Sequence, residues 1–363
     1  MLTIKIARRG LLFLAGCILM AYSCQTIRQG VKYTSTPAIS FEKGQLADTI
    51  IYADTLFQVR DHQGLPLYYY QDIFTGVCFD GKCRRLSIMV YWNVTGRYLG
   101  FELPPGEFLS KTDHEPFTEV EYERLHQLLA NPELPFSNIS YDQLMTDTDP
   151  NNPEVDGISG ATSKAVSEIV VKGAAYTTYK LWSIVYGSTR SKIIELTEQQ
   201  LTPELTLRIL NSPVQTDKVW ALEHINENTP LNLSLIDAIT TLLSGDDFYL
   251  AYSAINAIKR EHLSNEVLQV QIFAQYENAV PSIRSLILKK LMDGPILSDE
   301  VVKASISLLD QVNGKDLGDL LKLYSTYEVR DQELLSEVSK LLEHENTFIS
   351  SQVRAYIEKA DKW

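Results

Sequence analysis

The chain has 363 residues with 45% hydrophobic and 22% charged side chains, a composition that excludes a disordered chain, a collagen-like repeat and a polytopic membrane protein. Its length is enough for two domains, or three at most. Lys plus Arg is 33 and Asp plus Glu is 46, a formal net charge of −13 with no basic stripe, which argues against nucleic acid as a ligand.

Residues 1–24 carry Arg8-Arg9, an apolar run from Gly10 to Tyr22, and then Ser23-Cys24. This is the basic and apolar pattern of a secretory signal, short for a membrane-spanning helix. A cysteine closing the apolar run resembles a bacterial lipoprotein signal, in which that cysteine is lipidated and becomes the first mature residue. Cys24 is the favoured position, because a full apolar run precedes it and polar sequence follows. Cys17, in Leu14-Ala15-Gly16-Cys17, is the alternative, and an uncleaved anchor is the bland reading. The body of the chain is therefore expected outside the cytoplasm, anchored to the cell envelope.

A polar linker over 25–45 leads into a β-rich stretch over 46–103. Within it, Cys78-Phe79-Asp80-Gly81-Lys82-Cys83 centres on Asp-Gly, a strong two-residue hairpin signal. With Asp80-Gly81 as the turn, Cys78 and Cys83 face each other at a non-hydrogen-bonded position, where Cα atoms approach to about 4.5 Å. A structural disulfide is the first reading, and a redox-active pair or a metal site the sharper alternative. Leu86, Ile88, Val90 and Trp92 alternate onto one face, Asn93 to Gly96 make a turn, and Tyr98 to Leu103 form the partner strand. An antiparallel meander with one buried face is expected. Asn93-Val94-Thr95 has the form of a glycosylation sequon but reads more simply as turn chemistry.

Thr118 and Glu121 form a capping box that opens a helix through about Ala130. Asp113-His114-Glu115 precedes it. Consecutive side chains rarely converge on one metal ion, so these read as a helix entry, and no metal site is expected. If His114 has a function, its place is beside a bound cofactor. His126 reads as a half-exposed surface residue. Residues 131–155 are loop-like, and helical character returns over Lys164 to Val171 and Ala174 to Tyr186, with a break near Gly173. Tyr176, Tyr179, Trp182 and Tyr186 recur at helical spacing, a pattern that belongs to core packing.

The chemistry concentrates in Asp156-Gly157-Ile158-Ser159-Gly160-Ala161-Thr162-Ser163. Small residues here bring a hydroxyl to the first turn of a helix, where free N–H groups favour an anionic group by about 0.3–1 kcal/mol. That is too little to retain a dissociable flavin phosphate outside a cell. The stretch resembles the flavinylation motif of the FMN-binding domain family, found in flavin-bearing subunits of the sodium-pumping NADH:quinone reductase and of the Rnf complex. The family pattern reads Asp, two variable residues, Ser or Thr, Gly, Ala, Thr, and every fixed position is present. The resemblance implies that Thr162 is joined to FMN through a phosphoester by a flavin transferase using FAD and a divalent metal. It also implies that Asp156, Ser159, Gly160 and Ala161 shape the recognition turn and line the phosphate. It covers roughly residues 65–190. The Gly-rich strand entry common in such domains is not found, and Cys78 with Cys83 is no part of the usual pattern.

Beyond about residue 190 strand signals fade. Amphipathic segments of 10–15 residues alternate with polar breaks such as Asn228-Thr229-Pro230 and Asp293-Gly294-Pro295. Tyr249 to Ile258 lies over Val280 to Lys289 at a spacing in the low thirties, with echoes at Val219 to Ile225 and Phe348 to Ile357. This resembles degenerate HEAT-type repeats, about five helix pairs, which stack because one pair cannot bury its own apolar face. His224, His262 and His344 are isolated and form no catalytic cluster.

The expected fold class is α+β. A signal segment (1–24) and linker (25–45) precede an antiparallel-sheet FMN-binding-type domain (46–190) and an all-α HEAT-like solenoid (191–363). The functional expectation is a lipid-anchored extracytoplasmic flavoprotein, an electron carrier or complex subunit rather than a self-sufficient enzyme. Its partners would be a flavin transferase and a redox protein. The alternative is a scaffold lipoprotein with a purely structural flavin-type domain.

Overall fold

The computed structural model describes residues 32–34, 48–50, 55–76, 85–111, 114–138 and 168–363. The protein is α+β, an antiparallel sheet followed by helices, and divides into two compact units between Thr197 and Glu198. The sequence suggested a change of character near residue 190. Seven residues of difference arise because helix α3 (Ser188–Gln199) still supplies cover for the sheet.

Among the described residues six strands form one sheet: β1 (Lys32–Thr34), β2 (Asp48–Ile50), β3 (Leu56–Arg60), β4 (Pro66–Thr75), β5 (Leu86–Asn93) and β6 (Tyr98–Glu102). Their spatial order is β1-β6-β5-β4-β3-β2, and every pairing is antiparallel. The β4–β5 ladder runs unbroken from Tyr68↔Asn93 to Thr75↔Leu86. Leu86, Ile88, Val90 and Trp92 are buried on the face where Tyr69 and Gln71 also lie. Helices cover this face. The indole of Trp92 donates to the Val185 carbonyl at 2.9 Å, Thr189 donates to Gln71 Oε1 at 3.0 Å, and the Tyr69 and Thr197 hydroxyls lie 3.4 Å apart.

The opposite face is not polar, contrary to the expectation of one buried face. Val59, Tyr68, Tyr91 and Leu99 form a second apolar cluster, with Tyr70 and Met89 packed against it and Phe57 stacked on Tyr70 at 4.8 Å. An irregularity in the β5–β6 register at Tyr91/Trp92 explains how β6 serves both faces. It pairs Trp92 with Tyr98 and Val90 with Phe101 on the helix side, and leaves Leu99 to the other side.

Asn93 shapes the β5–β6 turn. Its Oδ1 accepts from the Thr95 amide at 3.1 Å, the Thr95 hydroxyl at 2.8 Å and the Arg97 amide at 2.7 Å, so the sequon side chain is spent on the turn. Gly96 follows with φ +75°. Helix α1 (Glu119–Leu129) begins at Thr118 with a full capping box to Glu121, and α2 is Ala175–Val185.

In the second unit ten α-helices come in five successive pairs: α4 (Pro203–Leu210) with α5 (Gln215–Glu223), α6 (Leu233–Thr241) with α7 (Phe248–Ala257), and α8 (Glu266–Ala274) with α9 (Pro281–Met292). α10 (Asp299–Ile306) with α11 (Gly314–Thr326) and α12 (Gln332–Lys340) with α13 (Thr347–Ala360) complete the series. The second helices start at 215, 248, 281, 314 and 347, a constant step of 33 residues, and from α6 onward the first helices keep the same step. The overlay of Tyr249 on Val280 suggested by the sequence is therefore two residues out of phase. Each helix packs on the helix two further along, so the first and second helices form separate rows of five.

The first-helix row starts uniformly. Thr202, Asn232, Asn265, Ser298 and Asp331 each cap their helix with a side-chain oxygen. Polar bonds stitch neighbouring pairs: Lys290 donates to the Ile258 carbonyl at 2.9 Å, Gln269 to Ile296 O at 3.0 Å, and the Tyr327 hydroxyl to Gly294 O at 2.9 Å.

Candidate functional site

The motif residues Asp156, Ser159, Gly160, Ala161 and Thr162 lie outside the described residues, as do Cys17, Cys24, Cys78 and Cys83. The structure does describe what holds each flank of the 139–167 stretch. On the N-terminal side, Phe136 is buried edge-on against Tyr179 (5.6 Å, 85°) and Trp182 (5.5 Å, 66°) of α2. On the C-terminal side, Val170 and Val171 are buried, and the Val171 amide donates to the Thr178 hydroxyl of the same helix at 3.1 Å. Arg124 of α1 also donates to the Glu168 carbonyl. Gly173, at φ +74°, then turns the chain into α2 past the Lys111 side chain. Both flanks thus rest on α2, and α2 is itself fixed to the sheet through the Trp92–Val185 bond.

The aromatic stripe on α2 serves this packing. Trp182 donates to the Asn131 carbonyl at 3.0 Å, Tyr186 donates to Leu129 O at 2.8 Å, and the two rings lie 4.6 Å apart. Burial raises the Tyr186 pKa to about 12, so the phenol stays a neutral donor.

His114 stands exposed in a turn, with φ +60° and its amide donating to Lys111 O at 3.0 Å. Beside it, Lys111 bridges Glu115 at 3.2 Å and Glu121 at 3.1 Å, which ties the turn to the start of α1. The described geometry accounts for these residues as a helix entry. Among the described residues, no group of three His, Cys, Asp or Glu side chains is arranged to hold a metal ion.

His126 differs from its expected half-exposed position. It is only 8% exposed, lies with its ring tilted 49° from that of Tyr98 at 5.5 Å, and has Nδ1 3.1 Å from the Tyr98 hydroxyl. Residue type alone points a histidine toward the surface, but position 126 falls on the same face as the buried Tyr122, Leu125 and Leu129. Burial lowers the His126 pKa and, together with nearby charge, raises that of Tyr98 well above its ordinary value. Both groups are therefore neutral near pH 7, and a single hydrogen bond joins the phenol to the imidazole.

The helical unit carries no comparable chemical cluster. His224 stacks on Trp220 and bonds Glu198 at 2.9 Å, His262 accepts from the Lys259 amide at 3.1 Å, and His344 accepts from the Asn346 amide at 3.0 Å. Each of these closes a turn or tethers a helix end. Asp316, 2% exposed, takes Arg284 at 3.4 Å and Asn313 at 3.0 Å, while Arg284 also donates to the Ala279 and Glu277 carbonyls.

The surface of this unit is more distinctive. From Glu198 onward 15 basic side chains face 25 acidic ones, ten of the net −13. Helix α7 exposes Phe248, Tyr249 and Tyr252 at 51%, 56% and 44%. No sequence signal had singled these out, because each alone fits an amphipathic helix. Their significance emerges only when the 33-residue register is known. No protein-family model matches the chain, and no curated protein matches it either.

Proposed function

We propose that the chain is a lipid-anchored extracytoplasmic flavoprotein that holds FMN on Thr162 and passes electrons through it. The observation that carries this reading is the complete motif from Asp156 to Thr162. A Thr162 phosphoester would form from FAD with AMP as the balancing product, and would keep the cofactor from being lost outside the cell. The flavin supplies the redox chemistry, while the chain fixes where it sits. In support, the two flanks of the 139–167 stretch are pinned to α2 by Phe136 and Val171. Asp156, Ser159, Gly160 and Ala161 would form the turn read by the flavin transferase and line the phosphate, and His114, exposed in its turn, would stand beside the bound FMN.

The anchor in this reading is Cys24, with Cys17 as the alternative. Among the described residues no helix is long and apolar enough to cross a membrane. Cys78 and Cys83 would form a staple across an Asp80-Gly81 turn, a reading supported by the antiparallel β4–β5 ladder whose last described pair is Thr75↔Leu86. The helical unit is a HEAT-like solenoid that docks a redox partner. Its support is the 33-residue step and the two rows of helices.

The test is expression in an envelope compartment together with an active flavin transferase, followed by denaturing electrophoresis and flavin fluorescence. A fluorescent band that disappears in Thr162→Ala is expected. A dark wild-type band beside a fluorescent control substrate would overturn the carrier reading in favour of a scaffold lipoprotein.

A further inference from the structure

The three exposed aromatic side chains of α7 are not required by the helical array. One 33-residue step along the row, Phe248, Tyr249 and Tyr252 correspond to Pro281, Ser282 and Ser285 of α9, and after another step to Gly314, Lys315 and Gly318 of α11. In α13 they correspond to Thr347, Phe348 and Ser351, and backward in α5 to Gln215, Thr216 and Val219. Those helices form and stack with small, polar or single aromatic residues at the same positions. The packing of α7 itself uses its other face, where Leu250, Ala251, Ala254 and Ile255 are buried.

Phe248 and Tyr252 lie 6.2 Å apart with ring planes 25° from parallel, and Tyr249 adds a third exposed ring. Carboxylates stand directly before them. Asp246 is exposed, and Asp247 caps the helix through Leu250 N at 3.0 Å while its second oxygen takes Gln215 Nε2 at 2.5 Å. Neither carboxylate pairs with a cation among the described residues, and the unit as a whole is strongly acidic. Aromatic faces attract a cation, and a planar guanidinium both stacks on a ring and bonds a carboxylate through a fork of N–H groups. An ammonium does the first less well and lacks the fork.

We propose that the α7 face formed by Asp246, Phe248, Tyr249 and Tyr252 docks an arginine-bearing segment of a partner protein. The proposal rests on the docking role assigned to the helical unit and not on the flavin, so it is tested on the full chain produced without a transferase. The probe is a dye-labelled peptide alternating arginine and glycine, with lysine and glutamate versions as controls, followed by fluorescence anisotropy. The arginine peptide is expected to bind, the lysine peptide more weakly, and the glutamate peptide not at all. Phe248→Ser with Tyr252→Ser should weaken arginine-peptide binding about tenfold or more, whereas Phe348→Ser should leave it unchanged. Circular dichroism checks that the variants are folded, and Tyr249→Gln gives an independent single substitution with a smaller loss expected. Undiminished binding by the double variant, equal affinity for arginine and lysine peptides, or absence of binding to the wild-type chain would each overturn the proposal.

Discussion

The β5–β6 turn gives a quantitative test of how the sheet meets α3. Gly96 has φ +75°, and a Cβ built there would sit 3.0 Å from Arg190 Cγ and 3.0 Å from Ile194 Cγ1. Gly64 has nearly the same backbone, φ +82°, with nothing within 4 Å. Alanine in the left-handed region costs about 1–2 kcal/mol at either position. At Gly96 the new methyl must also displace two side-chain carbons of a packed helix, worth about a further 1–2 kcal/mol. Gly64→Ala should therefore lose about 1–2 kcal/mol and Gly96→Ala about 2–4 kcal/mol. Urea denaturation followed by tryptophan fluorescence reads both, since Trp92 and Trp182 lie in this unit. Removing the obstruction with Ile194→Ala should shrink the excess in a double-mutant cycle. Equal losses at the two glycines would refute the idea that α3 lies hard against this turn.

Three further outcomes are expected. Because folding lowers the His126 pKa, its contribution to stability is fully present above about pH 6.5 and is lost as pH falls through the lower folded value. Urea midpoints should drop between pH 7.5 and 5.5, and His126→Gln should flatten that dependence. Asp316→Ala should destabilise the helical unit by about 2 kcal/mol, below the range for a wholly buried pair because Arg284 keeps two carbonyl acceptors; thermal denaturation of the full chain measures it. Non-reducing peptide mapping should recover Cys78 and Cys83 in one linked fragment, and recovery of both as free thiols from envelope-expressed protein would contradict the staple.

What could be read from sequence was what has a local cause. Strand β5 announces itself by alternation of Leu86, Ile88, Val90 and Trp92, and α1 by the Thr118–Glu121 box, since both signals lie within a few residues of the structure they produce. The second buried face of the sheet was not legible. Tyr68, Tyr91 and Leu99 come from three strands and meet only once the register is set. The burial of His126 likewise depends on Tyr98, which is 28 residues away. The helical repeats were legible as amphipathic segments but two residues off in phase; the step is set by buried positions far apart in sequence, Ala221, Ala254, Ile287, Leu320 and Val353, each 33 residues from the next. At the candidate site the legible part is the Asp156–Thr162 motif, which resembles a flavinylation sequence, and its flanking anchors Phe136 and Val171 carry no local signal of that role.

The constant 33-residue step has a consequence for how the helical unit can change. Since each helix touches mainly its pair-mate and the equivalents one pair away, removing one complete period would bring the next pair into the vacated place with its apolar rows still aligned. The losses would be confined to the polar stitches specific to one junction, such as Lys290 with Ile258. A docking surface of the kind proposed would thus be adjustable in units of whole helix pairs.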